Sequence, residues 1–167
     1  TKTHSLYNKI GFDKKSSMYW GKELANMALN ISSNIVASEK GRELVQHGSA
    51  LFPIACYAED LSSYSVAWHW HEELEVLVVS EGMILATAGG EKFRLGKGEG
   101  LFINAGVLHG DWPLNAGSCR LHSMVFHPRL VGGNPDSVFW QKYLQPLLTD
   151  PSRPCAVLRL SLIHISE

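Results

Sequence analysis

Short runs of apolar and β-branched residues, several of them alternating in polarity, fill the middle of the chain. Residues 55–57, 65–71, 75–80, 83–88, 91–95, 100–103 and 119–126 each read as a strand. Turn signals separate them: Glu81-Gly82, Gly89-Gly90, Gly96-Lys97-Gly98, Asn104-Ala105-Gly106 and Asn115-Ala116-Gly117. Many short strands at even spacing predict a sandwich or barrel. After Pro128 the period changes. Asn134-Pro135-Asp136-Ser137 carries capping side chains and an early proline, a helix-start signal. Val138, Phe139, Tyr143, Leu144, Leu147 and Leu148 then recur at helical spacing, with their apolar face expected to cover the barrel core. Pro146 is expected to end or kink this helix near its last turn. Asp150-Pro151-Ser152-Arg153-Pro154 reads as a linker.

The two ends differ from this pattern. Residues 1–26 are polar without a clean period, and the chain opens on Thr1. Trp20-Gly21-Lys22-Glu23 lies a few codons before Met27, and Lys-Glu encoded as AAG-GAG is a ribosome-binding sequence. Residues 1–26 are therefore expected to be translated leader and Met27 the native start; other codons for Lys22 and Glu23 would remove that expectation. At the other end, LSLIHISE over residues 160–167 resembles the translation of a transposon-end adapter used in sequencing libraries. The tail is expected to be foreign, so His164 is not counted among functional histidines.

Composition removes some functions. Fifteen Lys and Arg against sixteen Asp and Glu leave a net charge of −1, with no basic stripe to hold nucleic acid. No apolar run approaches membrane-spanning length, and no secretory signal stands at the start. Cys56, Cys119 and Cys155 are odd in number and widely spaced, which suits free buried thiols in a reducing cytoplasm.

The chemistry concentrates on one hairpin. His69 and His71 lie two apart on a predicted strand, so both imidazoles face one side. Glu75 opens the next strand and Gly82 ends it, giving H-x-H-x3-E-x6-G as HWHEELEVLVVSEG. A second block, GEGLFINAGVLHG, adds Gly98, Gly106 and His109. Three imidazoles and a carboxylate suit Mn, Fe, Ni or Zn and leave coordination positions open. These two blocks resemble the paired motifs of the cupin superfamily. The resemblance implies an all-β-dominated fold, a double-stranded β-helix or jelly-roll barrel followed by a C-terminal helix. It also implies convergence of His69, His71, Glu75 and His109 inside the barrel, where cupins often hold a divalent metal. The second block departs from the pattern at Asn104, where proline is usual, and at Pro113, where asparagine is usual.

Longer stretches narrow the resemblance. GRELVQHGSALFPIACY, WHWHEELEVLVVSEG, GEGLFINAGVLH, LHSMVFHPRLVGG and DSVFWQKYLQPLL resemble the amino-terminal sensor domain of AraC-family transcription regulators. That resemblance implies a barrel that senses a small molecule, helices that form a homodimer, and a helix-turn-helix module for DNA that lies beyond this chain. It divides the chain into an N-terminal extension over 1–40, a sensor barrel over 41–130, a helix beginning the dimerisation region over 131–150, and a linker with the tail over 151–167. The expected protein is cytoplasmic and non-enzymatic, with a sugar or organic acid as effector. A stand-alone metal-dependent cupin enzyme, an isomerase or dioxygenase, is the alternative; a bare dimerisation module with a vestigial pocket is a third reading.

Two roles for the histidine cluster stay open, metal ligation and a hydrogen-bonded interior that anchors a ligand. Trp112 is a candidate at the pocket mouth, beside His109. Trp68 and Trp70 alternate with the histidines and are expected on the outer face. His122 and His127 are expected to be structural, and the directions of Arg94 and Arg120 are left undecided by strand parity.

Overall fold

Period-two alternation becomes two facing sheets in the computed structural model, which describes residues 29–30 and 35–159. The expectations placed on residues 1–26, on Met27 and on the 160–167 tail lie outside the described residues. The strands are β1 (Leu29–Asn30), β2 (Ile54–Asp60), β3 (Val66–His69), β4 (Leu74–Glu81), β5 (Met83–Ala88), β6 (Glu91–Gly96), β7 (Glu99–Ile103), β8 (His109–Pro113), β9 (Arg120–Phe126) and β10 (Cys155–Arg159). One sheet runs β1-β2-β9-β4-β7-β10 and the other β3-β8-β5-β6. Every pairing is antiparallel except β1 with β2. This is the jelly-roll, cupin-type barrel that the two motif blocks imply.

Alternate residues of each strand point inward and fill two different zones. Leu77 and Val79 of β4, Ile84, Ala86 and Ala88 of β5, Leu95, Leu101 and Ile103 pack one end as an apolar core. Towards the other end the inward positions turn polar: Glu75, His109, Asp111, Ser123 and Glu59 are all buried. The motif glycine Gly82 sits at φ +77°, and a Cβ there would lie 2.5 Å from the Ser118 carbonyl oxygen. Only glycine closes the β4–β5 turn against that backbone.

β9 resolves the undecided parity. Leu121, Ser123 and Val125 face inward, so Arg120 and His122 face solvent. Arg120 pairs with Asp60 at 3.3 Å and Glu81 at 3.5 Å on the exposed surface. Arg94 is likewise exposed. His127 is structural: its Nδ1 accepts the Arg129 N–H at 3.0 Å, where the first helix begins. The three cysteines are free thiols.

The C-terminal part differs from expectation in three respects. A short helix α1 (Arg129–Gly132) precedes a π-helical turn (Trp140–Leu144) that runs into α2 (Gln145–Thr149). Ser137 caps this second helix, its Oγ accepting the Trp140 N–H at 3.0 Å, as the start signal predicts. Pro146 does not stop the helix, which continues to Thr149. The wider π turn just before it absorbs the missing N–H, with Gln145 N–H reaching the Trp140 carbonyl. Second, the apolar residues of the helix are not all core cover. Leu144 is buried over Gly132, but Val138, Phe139 and Tyr143 are 71%, 64% and 57% exposed. Third, residues 155–159, left in the linker and tail by the sequence pattern, form β10 and pair with β7.

Asn104 explains how that return is held. Its amide donates to the Leu147 carbonyl at 2.7 Å and the Arg153 carbonyl at 3.3 Å, and its N–H donates to the Pro154 carbonyl at 2.9 Å. The residue that departs from the usual motif proline therefore clamps α2 and the linker to the end of β7.

Candidate functional site

β3, β4 and β8 bring the four motif residues together. One nitrogen or oxygen from each of His69, His71, Glu75 and His109 lies within 4.8 Å of the others, and all four residues are buried. β3 pairs with β8 so that His69 stands opposite His109, their ring centroids 4.1 Å apart. Glu75 Oε2 sits 3.2 Å from His71 Nε2 and 3.1 Å from His109 Nε2.

The hydrogen-bond partners fix the imidazole tautomers. Nδ1 of His69 faces the Ala67 carbonyl at 2.9 Å, that of His71 the Glu73 carbonyl at 3.1 Å, and that of His109 the Val107 carbonyl at 2.8 Å. A carbonyl carries no proton, so each Nδ1 is the donor. The neutral His69 ring then presents its Nε2 lone pair to the interior, whereas Nε2 of His71 and of His109 point at the Glu75 carboxylate oxygen, an acceptor. His109 Nε2 has no well-aligned hydrogen bond despite its closeness to Glu75. Oriented imidazoles with one orphaned ring nitrogen fit a divalent cation, which His69, His71, Glu75 and His109 would hold. When bound, such an ion acts as a Lewis acid or anchors a ligand's oxygen.

Charges in the cluster are strongly coupled. Burial pushes His69 down to about 4, and the neighbouring His109 adds to the effect. Burial also works against charge on Glu75 and His109. Their mutual interaction outweighs it, holding the Glu75 carboxyl well below its usual range and raising His109.

Glu43 and His47, which lie in the family-like stretch GRELVQHGSALFPIACY but were not among the candidate site residues, extend the cluster. Residues just before the barrel run beside Trp70, with Glu43 N–H donating to the Trp70 carbonyl at 2.9 Å. This places Glu43 Oε2 3.0 Å from His47 Nε2 and 3.8 Å from His69 Nε2. His47 Nδ1 in turn lies 2.7 Å from the Tyr57 hydroxyl. Glu43, His47 and His71 form a second set of donors with ligand-like spacing. Burial opposes ionisation of Glu43, but the His47 hydrogen bond and the surrounding histidines hold its carboxyl below the usual value.

A cavity of about 130 Å³ adjoins the cluster, reaching His69 and Glu75. Trp112 does not line it. β8 alternates, so Trp112 points away from His109 and packs on Trp68 outside, with ring centroids 5.1 Å apart. Trp70 is also outside, its indole N–H donating to the Lys40 carbonyl at 3.0 Å. The inward neighbour on β8 is Asp111, which lines the cavity and is pushed up to about 7 by burial and then by the Glu75 charge. Parity along β8 pairs His109 with Asp111, but the sequence pattern did not mark residues 109–113 as a strand. Glu59 continues the inward series Ala55, Tyr57 and accepts a hydrogen bond from the Tyr64 hydroxyl.

Comparison with known proteins places the chain. Residues 51–166 match the model of the AraC-like ligand binding domain. An uncharacterized HTH-type transcriptional regulator of Bacillus subtilis, YdeC, is 27% identical over 125 residues, covering 72% of this chain. The chain spans 42% of that relative's length. Among solved structures, an RmlC-like cupin from Shewanella frigidimarina is 20% identical with a TM-score of 0.40, covering 46% of this chain and 68% of its own. KdgF from Halomonas sp. is also 20% identical, with a TM-score of 0.41, covering 57% of this chain and 94% of its own. The family match spans well over half of the sequence, and the chain belongs to the AraC-like ligand binding domain family.

Proposed function

We propose that this chain is the effector-sensing part of an AraC-type transcription regulator, which takes a small molecule into the barrel and passes its occupancy to a DNA-binding helix-turn-helix module. The observation that carries this reading is the cavity of about 130 Å³ beside the His–Glu cluster, within a fold of the ligand-binding family. A sugar fits its hydrogen-bonding walls better than an organic acid, because Glu43, Glu59, Glu75 and Asp111 all line it. Occupancy changes the regulator only through differential affinity for its two states. The exposed Val138, Phe139 and Tyr143 support homodimerisation through the helix after the barrel. A DNA-bound regulator works in the cytoplasm, and DNA contact belongs to the module outside this chain.

A metal-dependent isomerase or dioxygenase is the second reading, favoured by the orphaned His109 Nε2. One experiment separates the two. Small molecules that raise the melting temperature are incubated with metal-loaded protein and analysed for turnover. A stabilising compound recovered unchanged supports sensing. Conversion to product that is lost in His69→Ala overturns it in favour of the enzyme.

A further inference from the structure

The sensor reading ranks a sugar above an organic acid, and one wall of the cavity points to a third class that suits it better than either. Four carboxyl groups line the cavity: Glu43, Glu59, Glu75 and Asp111. Among the described residues that line it there is no lysine or arginine. Three of these carboxyls have protein partners. Glu43 is held by His47 at 3.0 Å, Glu59 by the Tyr64 hydroxyl, and Glu75 by His71 and His109 at 3.2 and 3.1 Å.

Asp111 is different. It is only 5% exposed, faces the cavity, and makes no hydrogen bond or ion pair among the described residues. It belongs to neither set of candidate metal ligands. A cation at His69, His71, Glu75 and His109 would therefore leave this carboxyl without a partner. Its oxygens open onto the cavity, since His109 Nε2 alone is a fully enclosed side-chain polar atom without a partner among the described residues, so a ligand that brings donors can reach them.

We infer that the effector carries a protonated amine, bound through its ammonium group by Asp111, with its apolar body against Val66, Leu121 and Val125. An ammonium offers three donors and a full positive charge to a wall that has acceptors and no cationic side chain. A carboxylate ligand would meet a wall of acceptors with no lysine or arginine to pair with it, and a neutral polyol would bring that wall no positive charge. The cavity resembles in size the ~150 Å³ that accommodates benzene, so the body has roughly six to eight non-hydrogen atoms.

This inference rests on the sensor reading, and a shape-matched series tests the two separately. Cyclohexylamine, cyclohexanol and cyclohexanecarboxylate, with n-butylamine and a set of neutral sugars, are titrated into the chain by calorimetry and thermal shift. The amines should bind roughly tenfold more tightly than the matched alcohol, and the carboxylate not at all. Asp111→Asn should lose that preference while the exposed control Asp136→Asn keeps it. If sugars or the carboxylate bind and the amines do not, the amine inference is overturned and the sensor reading stands. If no class binds, both fall. Amine binding that is equal in Asp111→Asn would overturn the role given to Asp111. Should that variant fail to fold, the wild-type ranking of amine against alcohol and carboxylate decides.

Discussion

Asp111 shows how much one inward side chain can set. Its carboxyl moves from the ordinary 3.8 to about 7, so folding favours the protonated form. Between roughly pH 4 and pH 7 the folded chain holds a proton that the unfolded chain has released. The Asp111 contribution to stability therefore falls as pH rises through that window, by on the order of 4 kcal/mol, and works against His69, which burial holds neutral down to about 4 and which adds stability over the same range. Asp111→Asn removes the falling contribution, so its stability should rise relative to wild type as pH goes from about 4 to about 7. Urea midpoints of chelator-treated wild type and variant at acid and neutral pH check it, and parallel profiles would show that Asp111 ionises freely in the fold. The histidines work by a different device. Each Nδ1 is tied to a main-chain carbonyl two residues away, so local backbone geometry aims the ring without any distant partner. The convergence of the four residues was legible through the resemblance of the two motif blocks to cupins, and the pairing of β3 with β8 sets His69 opposite His109.

At the scale of elements, legibility followed local periodicity. β4, β5 and β6 are apolar-alternating hairpin strands with glycine turns, and the sequence pattern outlines them to within a residue or so. β8 escaped because His-Gly-Asp-Trp-Pro is not apolar; it is a strand only because β3 and β5 flank it on either side. β10 escaped because its partner β7 lies about fifty residues earlier, where the Asn104 side chain also reaches the Arg153 carbonyl. Glu43 and His47 lie in a stretch marked by its family resemblance, but their place at the site was not legible, since it follows from the pairing of that segment with Trp70. The clamp can be tested. Asn104→Ala should take the side-chain donor from the Arg153 carbonyl and leave the Leu147 carbonyl only the longer Asp150 N–H bond, and cost about 1–3 kcal/mol. Asn104→Pro should cost more, because it also removes the N–H that reaches the Pro154 carbonyl. Hydrogen exchange should report faster opening of Cys155–Arg159 than of β4 in both variants. Unchanged protection of that strand would mean that its ladder with β7 suffices alone. A shorter-range prediction concerns the β4–β5 turn. Gly82→Ala places a methyl against the Ser118 carbonyl at positive φ and should lower stability by about 1–3 kcal/mol, read as a lower urea midpoint.

For the whole molecule, the decisive relation is between the two sheets. His69 and His109 lie in the four-stranded sheet, Glu75 in the six-stranded one, and His71 in the segment that crosses between them. A cation held by this set would join the two sheets beside Ala88 and Ile103, the members of the apolar cluster that pair with His109 and Glu75. Binding of that kind adds to global stability, because the unfolded chain cannot gather the four ligands. At a free metal concentration one hundred times Kd the gain is about 2.7 kcal/mol. For a domain of this size that is a rise in Tm of roughly 5–10 °C. Zn, Ni, Mn or Fe should therefore stabilise the chelator-treated protein in thermal melts, and chelator should reverse the shift. His109→Ala should abolish the response, whereas His122→Ala, on the solvent face of β9, should keep it. A melt that ignores all four metals would assign the cluster to its other role, a polar interior in which Glu75 is shared between His71 and His109 and offered to a ligand from the cavity side.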